Sequence, residues 1–409
     1  MSSIVCLSHR EDVDGILSAA LIKAVSKTKR TQIVLADYAN ILSKLQKIAS
    51  TAPNAAEPIQ TSTDSPMYSS SSTNSKSLSI SSSRVALSGR YLISDKNNKE
   101  PSLSTMENPT AKYDNNNDYN NNSSSSGTKS TGKPKRLFIC DLGLSRKTED
   151  KFVGLVKEII SKGIKVTYFD HHDIGDELRK KLKKTGVTLI HSVEECTSVQ
   201  IYSKYKNKLD SHAAFFAASA ALTDYMECRP LASSIVSRYD RQFLMLEATA
   251  LSYMISSNQH NEEFLVKAVN TLSEMKYPHE IEGGFAIAER YAKKVSDGVR
   301  AVQGSIVAKK NVAYTQSIAD LSASVIVNFV LGISEKPVAM VYRLKDDINS
   351  YIISIRASNA CSVHLGRIVN EVASNMGGSG GGHERACGAV VPKDKLEEFI
   401  NTIDKLVAA

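Results

Sequence analysis

The chain has 409 residues, with 51 Lys and Arg against 43 Asp and Glu and a formal net charge of +8. At roughly 100–200 residues per domain, that length implies two or three domains and leaves ample room for a buried core. The basic excess favours a polyanionic partner.

The six cysteines, Cys6, Cys140, Cys196, Cys228, Cys361 and Cys387, are scattered and form no C-x-x-C pair. That excludes a zinc knuckle or redox dithiol and reads as reduced thiols. The opening "MSSIVCLSHRED" meets acids too early for a signal peptide, and no apolar run approaches the ~20 residues of a spanning helix. The expectation is a soluble cytoplasmic protein with no membrane partner.

In chain order, "SSIVCLS" is strand-like, "GILSAALIKAVSK" carries apolar residues at helical spacing, and "TQIVLADY" is strand-like again. From 51 to 135 the composition shifts to Ser and Asn runs such as "YDNNNDYNNNSSSSGTKSTGK", which hold too little apolar surface to offset their ordering entropy. This stretch reads as a disordered insertion inside one α/β domain. Beyond it come strand "RLFICD", helix "TEDKFVGLVKEIISKG" and strand "KVTYFD", so the series is βαβα and implies a parallel sheet. Residues 194–300 read as mostly helical. Then follow strands "NVAYTQSI", "PVAMVYRL" and "SYIISIRAS", interrupted by helix "DLSASVIVNFVLG", and helix "CSVHLGRIVNEVAS". A glycine-rich loop, strand "ACGAVVP" and helix "KDKLEEFINTIDKLVA" complete the reading.

The candidate chemistry lies just after the apolar strands of the first half. "SHREDVDG" supplies His9, Asp12 and Asp14, "FICD" supplies Asp141, and "FDHHD" supplies Asp170, His171 and His172. In a parallel sheet the carboxyl ends of the strands share one edge, where ligands bind in open α/β folds. Carboxylates gathered there repel one another unless cations lie between them. A mixed His and Asp ligand set suits manganese better than an all-oxygen magnesium site or a thiolate zinc site. Each acid taken singly is as well explained as a helix cap. Independent capping, however, does not explain their recurrence at successive strand ends.

With these motifs the chain resembles the DHH phosphoesterases, named for the triplet at Asp170, His171 and His172. The resemblance runs through "HREDVDGILSA", "ICDLGLS", "FDHHD" and "AALTDYME", the last supplying Asp224. It implies two manganese ions, with magnesium as the alternative: His9, Asp12 and Asp141 on one ion, Asp14, Asp141, His171 and Asp224 on the other, and Asp141 bridging. His9 stands three residues ahead of Asp12, where several family branches place the histidine four ahead. The resemblance also implies that His172 contacts the scissile phosphate and that Asp170 orients a histidine.

"MGGSGGGHERACGA" is similar to the GGGH motif of the DHH-associated C-terminal domain, with Cys387 where a small residue is usual. Gly380, Gly381 and Gly382 can offer backbone N–H groups to an anion and His383 a side-chain donor. The family resemblance adds Arg356 and Ser358 of "SIRASN" to this grip. The implied α/β architecture has a parallel-sheet DHH domain over 1–50 and 136–240, a helical connector over 241–300, and a smaller α/β substrate-binding domain over 301–409. The active site would lie in the cleft between the two.

The implied function is a manganese-dependent phosphodiesterase, of exonuclease or oligonucleotidase type, acting on single-stranded nucleic acid, short oligonucleotides or linear dinucleotides. The pattern looks closest to archaeal RecJ-like and nanoRNase-like members, and a homodimer is compatible with it. The alternatives are a cyclic dinucleotide phosphodiesterase and a non-catalytic replication scaffold related to RecJ. A scaffold would have lost metal acids, whereas Asp12, Asp14, Asp141 and Asp224 are all present.

Overall fold

The structure is a computed structural model that describes residues 3–26, 31–51, 134–144, 147–318 and 321–407. The insertion expected over 51–135 lies, apart from its edges, outside the described residues. The first part alternates β1 (Ser3–His9), α1 (Val13–Ser26), β2 (Thr31–Ala36), α2 (Ile41–Thr51), β3 (Pro134–Cys140), α3 (Glu149–Ser161), β4 (Lys165–Asp170), α4 (Asp176–Lys184) and β5 (Thr188–His191). The strands pair in the order β2-β1-β3-β4-β5, all parallel.

Helices cover both faces of this sheet, which is why its strands read as continuous apolar runs. Along β1, Ile4 and Cys6 enter one core with α1, while Val5 and Leu7 enter the opposite core with α2 and α3. The same alternation puts Phe138 and Cys140 of β3 on the first side and Leu137 and Ile139 on the second. Each fully buried side chain of this kind contributes about 1.5–3 kcal/mol.

A run of helices follows: α5 (Thr197–Tyr205), α6 (Ala213–Thr223), α7 (Pro230–Val236), α8 (Arg241–Ser257), α9 (Glu262–Ser273) and α10 (Gly284–Gln303). The alanine-rich α6 is buried over Ala213–Ala221 because its small side chains let neighbouring helices approach closely. The last part is β6 (Val307–Ala308), β7 (Val312–Gln316), α11 (Ala323–Ser334), β8 (Val338–Lys345), β9 (Ser350–Ala357), α12 (Leu365–Asn375), β10 (Ser379–Gly382), β11 (Ala386–Pro392) and α13 (Leu396–Leu406). Its sheet is mixed, in the order β10-β11-β9-β8-β7-β6, with only β7 and β8 parallel. The protein is thus an α/β chain with a parallel sheet and a second, mixed sheet.

The glycine stretch expected as a loop is a strand. Gly380, Gly381 and Gly382 pair with Ala389, Gly388 and Cys387 across an antiparallel ladder. Glycine is required at Gly382, where φ is +136° and a Cβ would lie 2.6 Å from the Ala386 carbonyl oxygen. His383 N–H donates to Ala386 O. By the alternation of such a ladder, the N–H groups of Gly380 and Gly382 therefore point away from β11, toward the open edge.

Candidate metal centre

Three parallel strands deliver the site. β1 ends on His9, β3 is followed directly by Asp141, and β4 ends on Asp170, with His171 and His172 just beyond. Asp12 and Asp14 flank the start of α1, and Asp224 closes α6. A Cβ on Gly15 would lie 2.4 Å from the His9 carbonyl oxygen, so the glycine of "DVDG" lets the first turn of α1 press against the end of β1.

Asp141 is the centre of the arrangement. Its Oδ2 lies 3.6 Å from His9 Nδ1 and its Oδ1 3.3 Å from His171 Nε2, so the two oxygens face different partners. The His9 side also holds Asp12, whose Oδ2 is 2.7 Å from His9 Nδ1. On the other side His171 Nε2 stands 3.9 Å from Asp14 Oδ2 and 3.7 Å from Asp224 Oδ2. Asp141 has φ +58°, a left-handed conformation that costs a non-glycine residue about 1–3 kcal/mol and concentrates at functional sites.

The capping and ligand readings of Asp12 hold together. Oδ1 accepts from Gly15 N–H at 2.9 Å, while Oδ2 is free to face His9. Asp14 is fixed more firmly, because the N–H groups of Thr197 and Ser198, at the start of α5, each donate to its carboxylate at 2.7 Å.

These groups fit divalent cations. His9, Asp14, Asp141 and His171 are almost wholly buried. Yet both ring nitrogens of His9, Nδ1 of His171 and Oδ2 of Asp224 lack an aligned hydrogen-bond partner. Close approach without alignment, as at His9 and Asp12, is how ligands converge on a shared ion, and three or more donors gather on each side of Asp141.

The electrostatics agree. Burial and then the neighbouring Asp141 push Asp14 up to about 7, against the pull of His171. Burial and then Asp14 likewise raise Asp224. For His9 and His171, burial works against the charged ring, but the surrounding carboxylates prevail and hold both well above the ordinary imidazole value. Asp141 stays well below the usual range because His171 and His9 outweigh its burial. Without a cation between them these groups would gather protons, which a divalent ion would displace.

The second sheet reaches the same place. The His383 ring stacks on His171 at 5.2 Å between centroids and 30° between planes, and lies 5.8 Å from His172. Arg356 on β9 stands opposite Ala386, which is also the partner of His383, so Arg356 and His383 share one face of the sheet with only a methyl group between them. Arg356 Nε is buried without a hydrogen-bond partner. Ser358 is differently engaged, with its hydroxyl accepting from Ala360 N–H in the turn after β9.

Residues 309–409 match the DHHA1 domain. The fold superposes on the DHH domain of a protein described as a member of a family of ribosomal proteins, at 13% identity and TM-score 0.57, covering 99% of this chain and 86% of that one. Residues 309–409 thus carry a DHHA1 domain, and the chain shares the fold of a DHH domain. A second neighbour in fold is RecJ of Thermus thermophilus in complex with Mn2+, at 10% identity and TM-score 0.54, covering 99% of this chain and 52% of that one. In sequence, an uncharacterised protein of Methanocaldococcus jannaschii is 28% identical over 208 residues, 49% of this chain. The matched stretch spans 44% of that relative's length.

The sequence reading omitted three groups that the fold brings in. Thr197 Oγ1 donates to Asp141 Oδ1 at 3.1 Å, the α5 N-terminus holds Asp14, and Tyr38 lies against His9 and His172. Thr197 lies 56 residues from Asp141 and 183 from Asp14, and no local pattern spans such separations. Tyr38 had a local signal, since it follows another strand of the same sheet edge.

Proposed function

We propose that the chain is a manganese-dependent phosphodiesterase acting on single-stranded oligonucleotides or short linear dinucleotides. The observation that carries this reading is the split orientation of Asp141, one oxygen toward His9 and the other toward His171. RecJ, whose fold the chain shares, is described in complex with Mn2+, and the mixed imidazole and carboxylate set suits that ion. His9, Asp12 and Asp141 would hold one ion, and Asp14, Asp141, His171 and Asp224 the other. When bound, such a pair supplies hydroxide near neutral pH and stabilises the attacking and leaving oxygens of an in-line displacement.

The chain's own groups do the rest. Asp14 and Asp141 are held by the α5 amides and by Thr197, so the carboxylates need no rearrangement to present their free lone pairs. His172, held through Nδ1 by Asp170 at 2.9 Å, would meet the scissile phosphate. Arg356, His383 and the edge amides of Gly380 and Gly382 bind the nucleotide on the far side. A basic surface suits a polyanionic substrate, and among the described residues no helix is long and apolar enough to cross a membrane. The scaffold alternative is opposed by the convergence of all four carboxylates on the histidines.

The test is end-labelled RNA and DNA of graded length, with cyclic dinucleotides in parallel, each with added manganese. Hydrolysis should be strongest on short linear substrates and absent without a divalent ion. Turnover confined to cyclic dinucleotides would replace the linear reading. No hydrolysis of any phosphodiester would return the scaffold.

A further inference from the structure

Tyr38 lies in the turn after β2, at the same sheet edge as His9, Asp141 and Asp170. Its hydroxyl oxygen is 3.0 Å from His172 Nε2, and its ring centroid is 5.1 Å from that of His9. One partly exposed side chain therefore touches an imidazole on each side of the cluster.

The turn that carries it is rigid. Asp37 Oδ1 accepts the N–H groups of Ala39 and Asn40, Asp37 Oδ2 accepts from the Asn40 side-chain amide, and Asn40 Oδ1 accepts from Asp37 N–H. On the other side of His172, Asp170 is fully buried and its Oδ1 lies 2.9 Å from Nδ1. The ring also needs the space at Gly143, where a Cβ would meet the His172 Cγ at 2.7 Å. His172 is thus held at both nitrogens and has a slot cleared for its face.

We infer that Tyr38 is a positioning residue that fixes the orientation of His172. Asp170 can only accept, so it keeps the proton on Nδ1 and leaves Nε2 directed at the cluster mouth. Tyr38 pins that end. Without the phenol the ring keeps one anchor and is free to rotate about χ2.

The importance of His172 for turnover rests on the proposed phosphodiesterase reading, whereas its geometry does not. The experiment therefore pairs two readouts on Tyr38→Phe: steady-state kinetics of the manganese-loaded protein on a short oligonucleotide, and nitrogen NMR of the 15N-imidazole groups in metal-free protein. His172→Gln identifies the resonance. The expected result is a kcat about tenfold lower with KM within about twofold, and a His172 Nε2 resonance displaced by loss of its hydrogen bond while the Nδ1–H pattern set by Asp170 persists. An unchanged His172 signal would overturn the inference, whatever happens to turnover. A shifted signal with unchanged kcat would overturn it too, since orientation would then be irrelevant to turnover. If wild-type protein hydrolyses no phosphodiester, the functional reading fails and the NMR readout alone decides whether Tyr38 fixes His172.

Discussion

The edge of the parallel sheet and the glycine strand of the mixed sheet meet at one site but are built on opposite terms. At the first, Asp14 and Asp170 are 0% exposed, Asp141 1% and His171 4%, and Asp14, Asp141 and Asp170 each have a further partner fixing them. At the second, Gly382 and His383 are exposed, and β10 is the edge strand of its sheet, with the Gly380 and Gly382 N–H groups directed away from β11. The contrast separates two tasks. Groups that gather charge must be held against their own repulsion, so they are buried and braced. Groups that would grip a variable chain need access, and Gly382 and His383 are left at the surface.

That comparison can be broken at its strongest point first. Asp141→Ala should abolish manganese-dependent turnover, by ~10³-fold or more, and Asp141→Asn should be nearly as severe because it keeps the shape but loses the charge. Correctly folded variants with near wild-type rates at saturating manganese would remove the shared carboxylate from the account. His9→Ala should be milder, by about 10–100-fold, since Asp12 and Asp141 remain on that side. A loss equal to that of Asp141→Ala would make His9 as necessary as the carboxylate it faces.

The mixed-sheet half should behave differently. Arg356→Ala and His383→Ala should each lower kcat/KM on a dinucleotide by about tenfold, or about 1.4 kcal/mol, while barely affecting bis-p-nitrophenyl phosphate, which needs only the buried half. Equal losses on both esters would merge the two tasks. The smallest effect is expected from replacing residues 55–130 with a short Gly/Ser linker, because their Ser and Asn runs offer little to bury. A large drop in melting temperature would show that this stretch supports the fold.

The buried half was the more legible in sequence. "SIVCLS", "RLFIC" and "KVTYF" are apolar because both sheet faces are covered, and acids or histidines directly after such runs must collect at one edge. Legibility ended where contacts are made between distant elements, as with the α5 amides on Asp14. The glycine run was misread for a physical reason: Gly380–Gly382 have no side chains to show an alternating pattern, and their strand is defined by pairing with Ala386–Pro392. The four-residue β5, "TLIH", was likewise too short to register beside its neighbours.

The central claim is that Asp141 joins two cation positions. Manganese binding measured by equilibrium dialysis, with electron paramagnetic resonance on the same samples, tests it most directly. The account predicts two ions per chain with the signature of a spin-coupled pair, and loss of that coupling in Asp141→Asn. Binding of a single uncoupled ion by the wild-type protein, or a coupled pair that survives in Asp141→Asn, would contradict it.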